Sequence, residues 1–209
     1  MRTLLSCLAA LQLLCAAAQA APPVAGRQYQ LLEPPRAAPR ERIEVIEFFW
    51  YGCPVCYEAQ PQISRWRQDA GPDVLLRRVP AVNNEGWEPF ARAYYALESL
   101  QALERLHWPL YDNHHFDDRR LDQEANLIAW IAANGIDAER FKAAWTSIDT
   151  RQKVEFARRM LATYDVRGVP SMVVDGRYLT SARMAGGVRE MMAVVAYLVE
   201  LARQDRAKK

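Results

Sequence analysis

At 209 residues, 51% apolar and 25% charged, the chain has the makeup of an ordinary globular protein, not a fibrous or disordered one. Its 27 basic and 25 acidic side chains leave a formal net charge of +2, which excludes a strongly basic nucleic-acid-binding face. No internal repeat, low-complexity tract, glycine-rich phosphate loop or Ser-His-Asp spacing stands out.

In chain order, the opening "MRTLLSCLAALQLLCAAAQAAPP" has one arginine after the start, then an apolar run from Leu4 to Ala18 and a small-x-small site at Ala18-Gln19-Ala20. The run is too short to span a membrane, and Pro22 and Pro23 end it, so residues 1–20 are expected to be a cleaved secretory signal peptide. The rival reading, a lipid anchor on Cys7 or Cys15, is weaker: Cys7 has almost no apolar segment before it, and Cys15 follows bulky Leu14. Residues 21–42, rich in Pro, Ala and Arg, read as an irregular arm.

"RIEVIEFFW" (Arg42 to Trp50) is expected to form a buried strand, Tyr57 to Gln68 a helix kinked at Pro61, and "DVLLRRVPAV" (Asp73 to Val82) a second strand. Strand, helix, strand is the signal for a parallel pair. Residues 87–164 then show helical periodicity: "GWEPFARAYYALESLQAL", "LDQEANLIAWIAANG" with its Asn134-Gly135 stop, "AERFKAAW" capped by Asp137, and "RQKVEFARRMLATY". Strand character returns in "PSMVVDGRYLT", where Asp175-Gly176 signals a two-residue hairpin, and Gly187 to about Arg203 reads as a final amphipathic helix. The order is βαβ for residues 43–86, a helical block for 87–164, and ββα for 165–209.

The chain has four cysteines, and removal of the signal peptide leaves only Cys53 and Cys56. A disulfide across two intervening residues closes too small a loop to stabilise much, and a mature chain of about 190 residues builds its own core. The pair is therefore expected to be chemical, not structural. A lone CxxC leaves redox chemistry, metal binding and a chance pair open, but zinc would need two more ligands, and adjacent His114 and His115 point to different sides of a helix. Cys53 lies where a strand gives way to a helix, whose unpaired N–H groups and positive end favour a thiolate. Cys53 would then be the attacking sulfur and Cys56, one turn further in, the shielded one. Pro54 falls at the first helical position, where its missing N–H costs nothing.

Strand alternation puts Glu47 with Val45 and Phe49 on one face. Two readings stand: a desolvated carboxyl of raised pKa that relays a proton for Cys56, or a sheet-end carboxylate reaching solvent. Gly168-Val169-Pro170 precedes a strand, an awkward place for proline that a cis Val169–Pro170 bond would fit.

Cys-Pro-x-Cys after an apolar strand, with Val-Pro far downstream before a hairpin, resembles the thioredoxin superfamily. The "QYQLLEPP" arm, "VIEFFWYGCPVCYE", the helical insertion and "RGVPSMVVDGRY" together resemble the bacterial periplasmic DsbA family over essentially the whole mature chain. The resemblance implies an α/β thioredoxin fold, a central mixed β-sheet flanked by helices with an inserted all-helical domain. It also implies a monomer in the periplasm that oxidises thiols of exported proteins, with no cofactor beyond its Cys53–Cys56 disulfide. A quinone-coupled membrane partner of the DsbB type would reoxidise the pair. The position of Cys53 is that of the family's nucleophile, Cys56 of its buried cysteine, Glu47 of its buried acid and Pro170 of its cis-proline. Val169 would offer its backbone to an extended substrate, with Trp50, Pro54 and Val55 beside it. One departure falls inside the motif: the family usually has histidine where this chain has Val55. Without that cation, Cys53 is expected to have a higher pKa, and the disulfide to be a weaker oxidant.

Trp50 and Tyr51 are expected to form an apolar lip, Met172 to pack in its strand, and His107, His114 and His115 to be solvated or capping. The basic tail is expected to be a frayed end. Rival functions are a reductase or isomerase, a partner-specific electron carrier, and a non-redox binder of unfolded chains.

Overall fold

The computed structural model describes residues 21–208; the expected signal peptide lies outside them. Five strands form one sheet in the order β1-β5-β4-β2-β3. Its centre is β2 (Ile43–Phe49), buried at all seven positions, as a β-branched and aromatic run covered on both faces must be. β2 pairs in parallel with β3 (Val74–Pro80) through the crossover helix α1 (Pro54–Asp69), and antiparallel with β4 (Ser171–Val174). The expected βαβ unit is therefore present. α1 begins at Pro54, the expected first helical position, and Pro61 does not interrupt it.

Between β3 and β4 lie a short 3₁₀ turn (Glu85–Trp87) and five helices: α2 (Glu88–Ser99), α3 (Leu103–His115), α4 (Glu124–Ala133), α5 (Ala138–Trp145) and α6 (Ile148–Thr163). The sequence reading runs α2 toward Leu103 and does not separate α3. The break falls at Gln101, which takes a positive φ of 57° without a Gly or Pro to mark it. Asp137 caps α5 as expected, its carboxylate accepting from the Arg140 N–H at 2.7 Å.

β4 and β5 (Tyr178–Ser181) form the hairpin, with Asp175 and Gly176 both at positive φ. Three residues, not two, separate the paired Val174 and Tyr178. Gly176 is doubly required, because a Cβ there would meet the Arg36 carbonyl oxygen at 2.3 Å. The arm is less irregular than its composition suggests: β1 (Gln30–Leu31) adds to the edge of β5. A single-turn α7 (Ala182–Ala185) leads into the last helix, α8 (Val188–Ala207). Among the described residues, the tail is not frayed: α8 runs to Ala207. Arg206 donates to the carbonyls of Pro39, Arg40 and Arg42 and pairs with Asp175, while Arg203 pairs with Asp73.

The sheet separates two cores. Under α1 and α8 lie Val45, Ile63, Met172, Val195 and Leu198; the other holds Phe48, Phe49, Phe90, Leu110 and Phe141 of the sheet and helical block. Phe49, at the end of β2, packs in the core of the helical block and not with Val45, its ring 5.4 and 6.0 Å from those of His107 and Tyr111.

Candidate functional site

The site is built where β2 stops. Trp50, Tyr51 and Gly52 make a turn closed by the Cys53 N–H donating to the Trp50 carbonyl at 3.0 Å. A side chain at Gly52 would run into the Trp50 ring, whose carbons lie 2.4 to 2.7 Å from the position a Cβ would take. Cys53 then occupies the cap of α1, with Pro54 next as expected. Its Sγ accepts from the Cys56 backbone N–H at 3.3 Å, the place a Ser or Asp oxygen holds in an ordinary cap. Both cysteines are free thiols.

The two sulfurs differ sharply. Cys53 is part-exposed, and its thiol is lowered to about 7. The first cause is the hydrogen bond from the Cys56 thiol; then, working against burial, come the N–H groups of Cys56 and Val55. Cys56 has no exposed surface, and burial pushes its thiol far up. On the open side, Pro54 and Val55 are exposed, and Val169 lies across from them with its carbonyl 3.7 Å from the Cys53 sulfur. The Val169–Pro170 bond is cis. Beyond it is a cleft of about 260 Å³ lined by Val169, Pro170, Ser171, Arg167 and Arg183.

Beneath the sulfurs, Glu47 has no exposed surface, which overturns the solvent-reaching reading. Burial raises its carboxyl above the usual range, partly offset by Arg78 and Gln60. Arg78 donates to it at 3.1 Å and Gln60 at 2.7 Å. Neither partner belongs to the sequence-predicted set. Arg77-Arg78 in an otherwise apolar strand was the available signal, since a buried arginine requires an anion. Arg78 is beside Glu47 because β2 and β3 pair in parallel register at these two residues. Gln60 and Arg78 also line a cleft of about 420 Å³ with Ser64, Glu104, His107 and Trp108.

The predicted lip is only half present. Trp50 is partly buried and stacks on Trp87, ring centres 4.2 Å apart. Tyr51 is fully buried, its hydroxyl 2.7 Å from His107 Nδ1. The expectation that the histidines are solvated or capping fails for His107. His107 is buried, and burial holds its imidazole well below its ordinary pKa; His115 donates from Nε2 to the Tyr51 carbonyl at 2.7 Å. The cause is the unpredicted α3, which packs these rings under the turn. His114 and His115 do not point apart as expected: their rings meet edge to face with centres 4.9 Å apart, His114 also touching Phe90 and His115 Tyr57. Met172 packs in its strand as expected. Among the described residues, no group of three or more His, Cys, Asp or Glu side chains could hold a metal ion.

A family model described as the DSBA-like thioredoxin domain matches residues 74–199. The thiol:disulfide interchange protein DsbA of Azotobacter vinelandii is 36% identical over 177 residues, 84% of this chain and 82% of that protein. DsbA of Pseudomonas aeruginosa is 33% identical over 193 residues, 92% of each chain. A crystal structure of Pseudomonas aeruginosa DsbA superposes with a TM-score of 0.82, covering 89% of this chain and 97% of that one at 33% identity. The structure of DsbA from Xylella fastidiosa gives 0.80, covering 87% and 98% at 29% identity. The chain belongs to the DsbA-like thioredoxin family of thiol:disulfide oxidoreductases.

Proposed function

We propose that Cys53 and Cys56 are the sulfurs this oxidoreductase exchanges, and that the pair works as a disulfide donor to exported proteins. The observation that carries this is the asymmetry between the two: an accessible Cys53 held by N–H donors, and a buried Cys56 three residues on. A substrate thiolate attacks Cys53 Sγ; the Cys53–Cys56 bond breaks and Cys56 leaves as a thiolate. Burial makes that anion costly, so it takes a proton, for which the raised carboxyl of Glu47 is the nearby acid. A second substrate thiolate then attacks the substrate sulfur of the mixed disulfide. Cys53 leaves as the thiolate that its cap stabilises. Two substrate thiols have become one disulfide, and the enzyme disulfide has become a dithiol.

Val169 supports strand-like docking of an extended substrate, its carbonyl facing Cys53. The cis Pro170 lies behind it, and Trp50, Pro54 and exposed Val55 form the rim. The relatives and the N-terminal sequence together support export to the periplasm, with the signal peptide cut after Ala20. Reoxidation there would fall to a quinone-coupled membrane protein of the DsbB type. Val55 favours a second reading, a partner-specific carrier with a less oxidising pair, because its side chain offers neither charge nor donor to Cys53.

The test is oxidation of a reduced two-cysteine peptide by the oxidised protein. Cys53→Ser is expected to abolish turnover; Cys56→Ala, given the same peptide in its disulfide form, is expected to accumulate the mixed disulfide as the Cys53 thiolate opens that bond and the second peptide sulfur leaves. Turnover that survives Cys53→Ser would overturn the assignment; a Cys56→Ala variant that captures one protein from a periplasmic extract, and not many, would select the carrier.

A further inference from the structure

The geometry points to His115 and His107 as positioning residues for the nucleophile. They lie in the helical block, more than fifty positions from Cys53 in sequence. This rests on the reading of Cys53 as the attacking sulfur.

Tyr51 is held twice from α3. Its carbonyl accepts from His115 Nε2 at 2.7 Å, and its hydroxyl lies 2.7 Å from His107 Nδ1. A carbonyl can only accept, so His115 carries its proton on Nε2. Two residues of one helix, eight apart, thus grip one residue of the active-site turn by its backbone and by its side-chain tip. His115 is itself packed against Tyr57 of α1, with ring centres 5.1 Å apart and planes 21° off parallel.

The grip matters because Tyr51 is bonded to a glycine. Gly52 has no Cβ to restrain it, so the Tyr51–Gly52 peptide is the easiest plane in the turn to rotate. One further residue on is Cys53, whose thiolate is stabilised in part by the Cys56 N–H, 3.3 Å from Sγ, and that share depends on Sγ staying in line with it. A hydrogen bond to an ionised acceptor is steeply directional. Holding the peptide before Gly52 keeps the cap in place; releasing it lets the cap loosen. The reduced thiolate is the state that uses the cap, so it loses more than the disulfide does. His115 and His107 therefore bias the redox equilibrium without touching either sulfur.

His115→Phe is the direct test, since phenylalanine keeps the ring on Tyr57 and removes only the donor. The variant is expected to raise the Cys53 pKa, read from thiolate absorbance. It should also make the disulfide three- to tenfold less oxidising against glutathione, about 15–30 mV. His115→Gln, which can present an N–H at the Nε2 position, is expected to restore both. His107→Leu should shift them in the same direction by less, because the backbone grip remains. A purely structural histidine would lower the stability of the dithiol and disulfide forms equally and leave pKa and potential where they are; that result in His115→Phe overturns the inference. Wild-type protein that fails to oxidise the peptide would instead count against the functional reading, so the two failures are distinct.

Discussion

At the hairpin end of the sheet, the Asp175 carboxylate is 7% exposed and is met by the Arg206 guanidinium, which also ties down three arm carbonyls. At the opposite end of β2, the Cys53 sulfur is stabilised by the Cys56 N–H at 3.3 Å, the Val55 N–H and a thiol hydrogen bond from Cys56; among the described residues, no cation is in hydrogen-bond contact with it. Both are anion sites beside a helix end. One is saturated and fastens the arm to α8, while the other is answered by the Cys56 thiol and backbone N–H groups at the start of α1, with no cation. A fully paired anion is inert, and a nucleophile must not be. The contrast separates the part of the molecule that supplies stability from the part that supplies chemistry.

Supplying the missing cation is the strongest way to break the contrast. Val55→His places an imidazole beside Cys53, and an opposite charge at that range lowers a pKa by about 1–3 units. A thiolate titration should find Cys53 well below 7, with the disulfide correspondingly more oxidising by about 30 mV per tenfold change in equilibrium. An unchanged titration would mean that Val55 is irrelevant to the nucleophile. Emptying the saturated end has a different signature. Arg206→Ala should cost about 2–3 kcal/mol in a denaturant melt, because it strands a buried carboxylate and three carbonyls. The reduction potential should not move. If it did, the two ends would be coupled in a way the fold does not suggest.

Glu47 gives the smallest effect and sharpens the comparison, since it is a buried carboxyl only partly answered. Burial raises its pKa in the folded state. Below the unfolded-state value, about 4.3, it is protonated in both states and costs folding nothing. As pH rises through the folded-state pKa, the buried carboxyl must ionise and stability falls. Glu47→Gln removes this slope, so the variant should gain on wild type in urea melts as the pH rises above the unfolded-state value of about 4.3. It should also slow the peptide oxidation about tenfold or less, because the proton donor to Cys56 is gone.

Much of this is legible in the sequence. Cys53 and Cys56 are the only cysteines after the expected signal peptide, Pro54 suits the first helical position, and the strand before them is apolar throughout apart from its two glutamates. Those are local signals, and the chain obeys them. The illegible part depends on register or on an unmarked break. Arg78 meets Glu47 only because β3 runs parallel to β2 in one register, and a slip of one residue would bring Arg77 there instead. α3 escapes because Gln101 makes the left-handed break usually assigned to Gly or Asn, and with α3 go the roles of His107 and His115. The basic tail reads as frayed because its partners, Asp73, Asp175 and the arm carbonyls, are distant in sequence.

The reduction potential of the Cys53–Cys56 pair tests the account most directly, measured in glutathione buffers and followed by tryptophan fluorescence. The family oxidant DsbA has a potential of about −120 mV and thioredoxin about −270 mV. A cap without a histidine cation, on a chain that donates disulfides, predicts a value between them, above about −230 mV and below about −120 mV. A value at or below about −270 mV would contradict a donor role and make the protein a reductant.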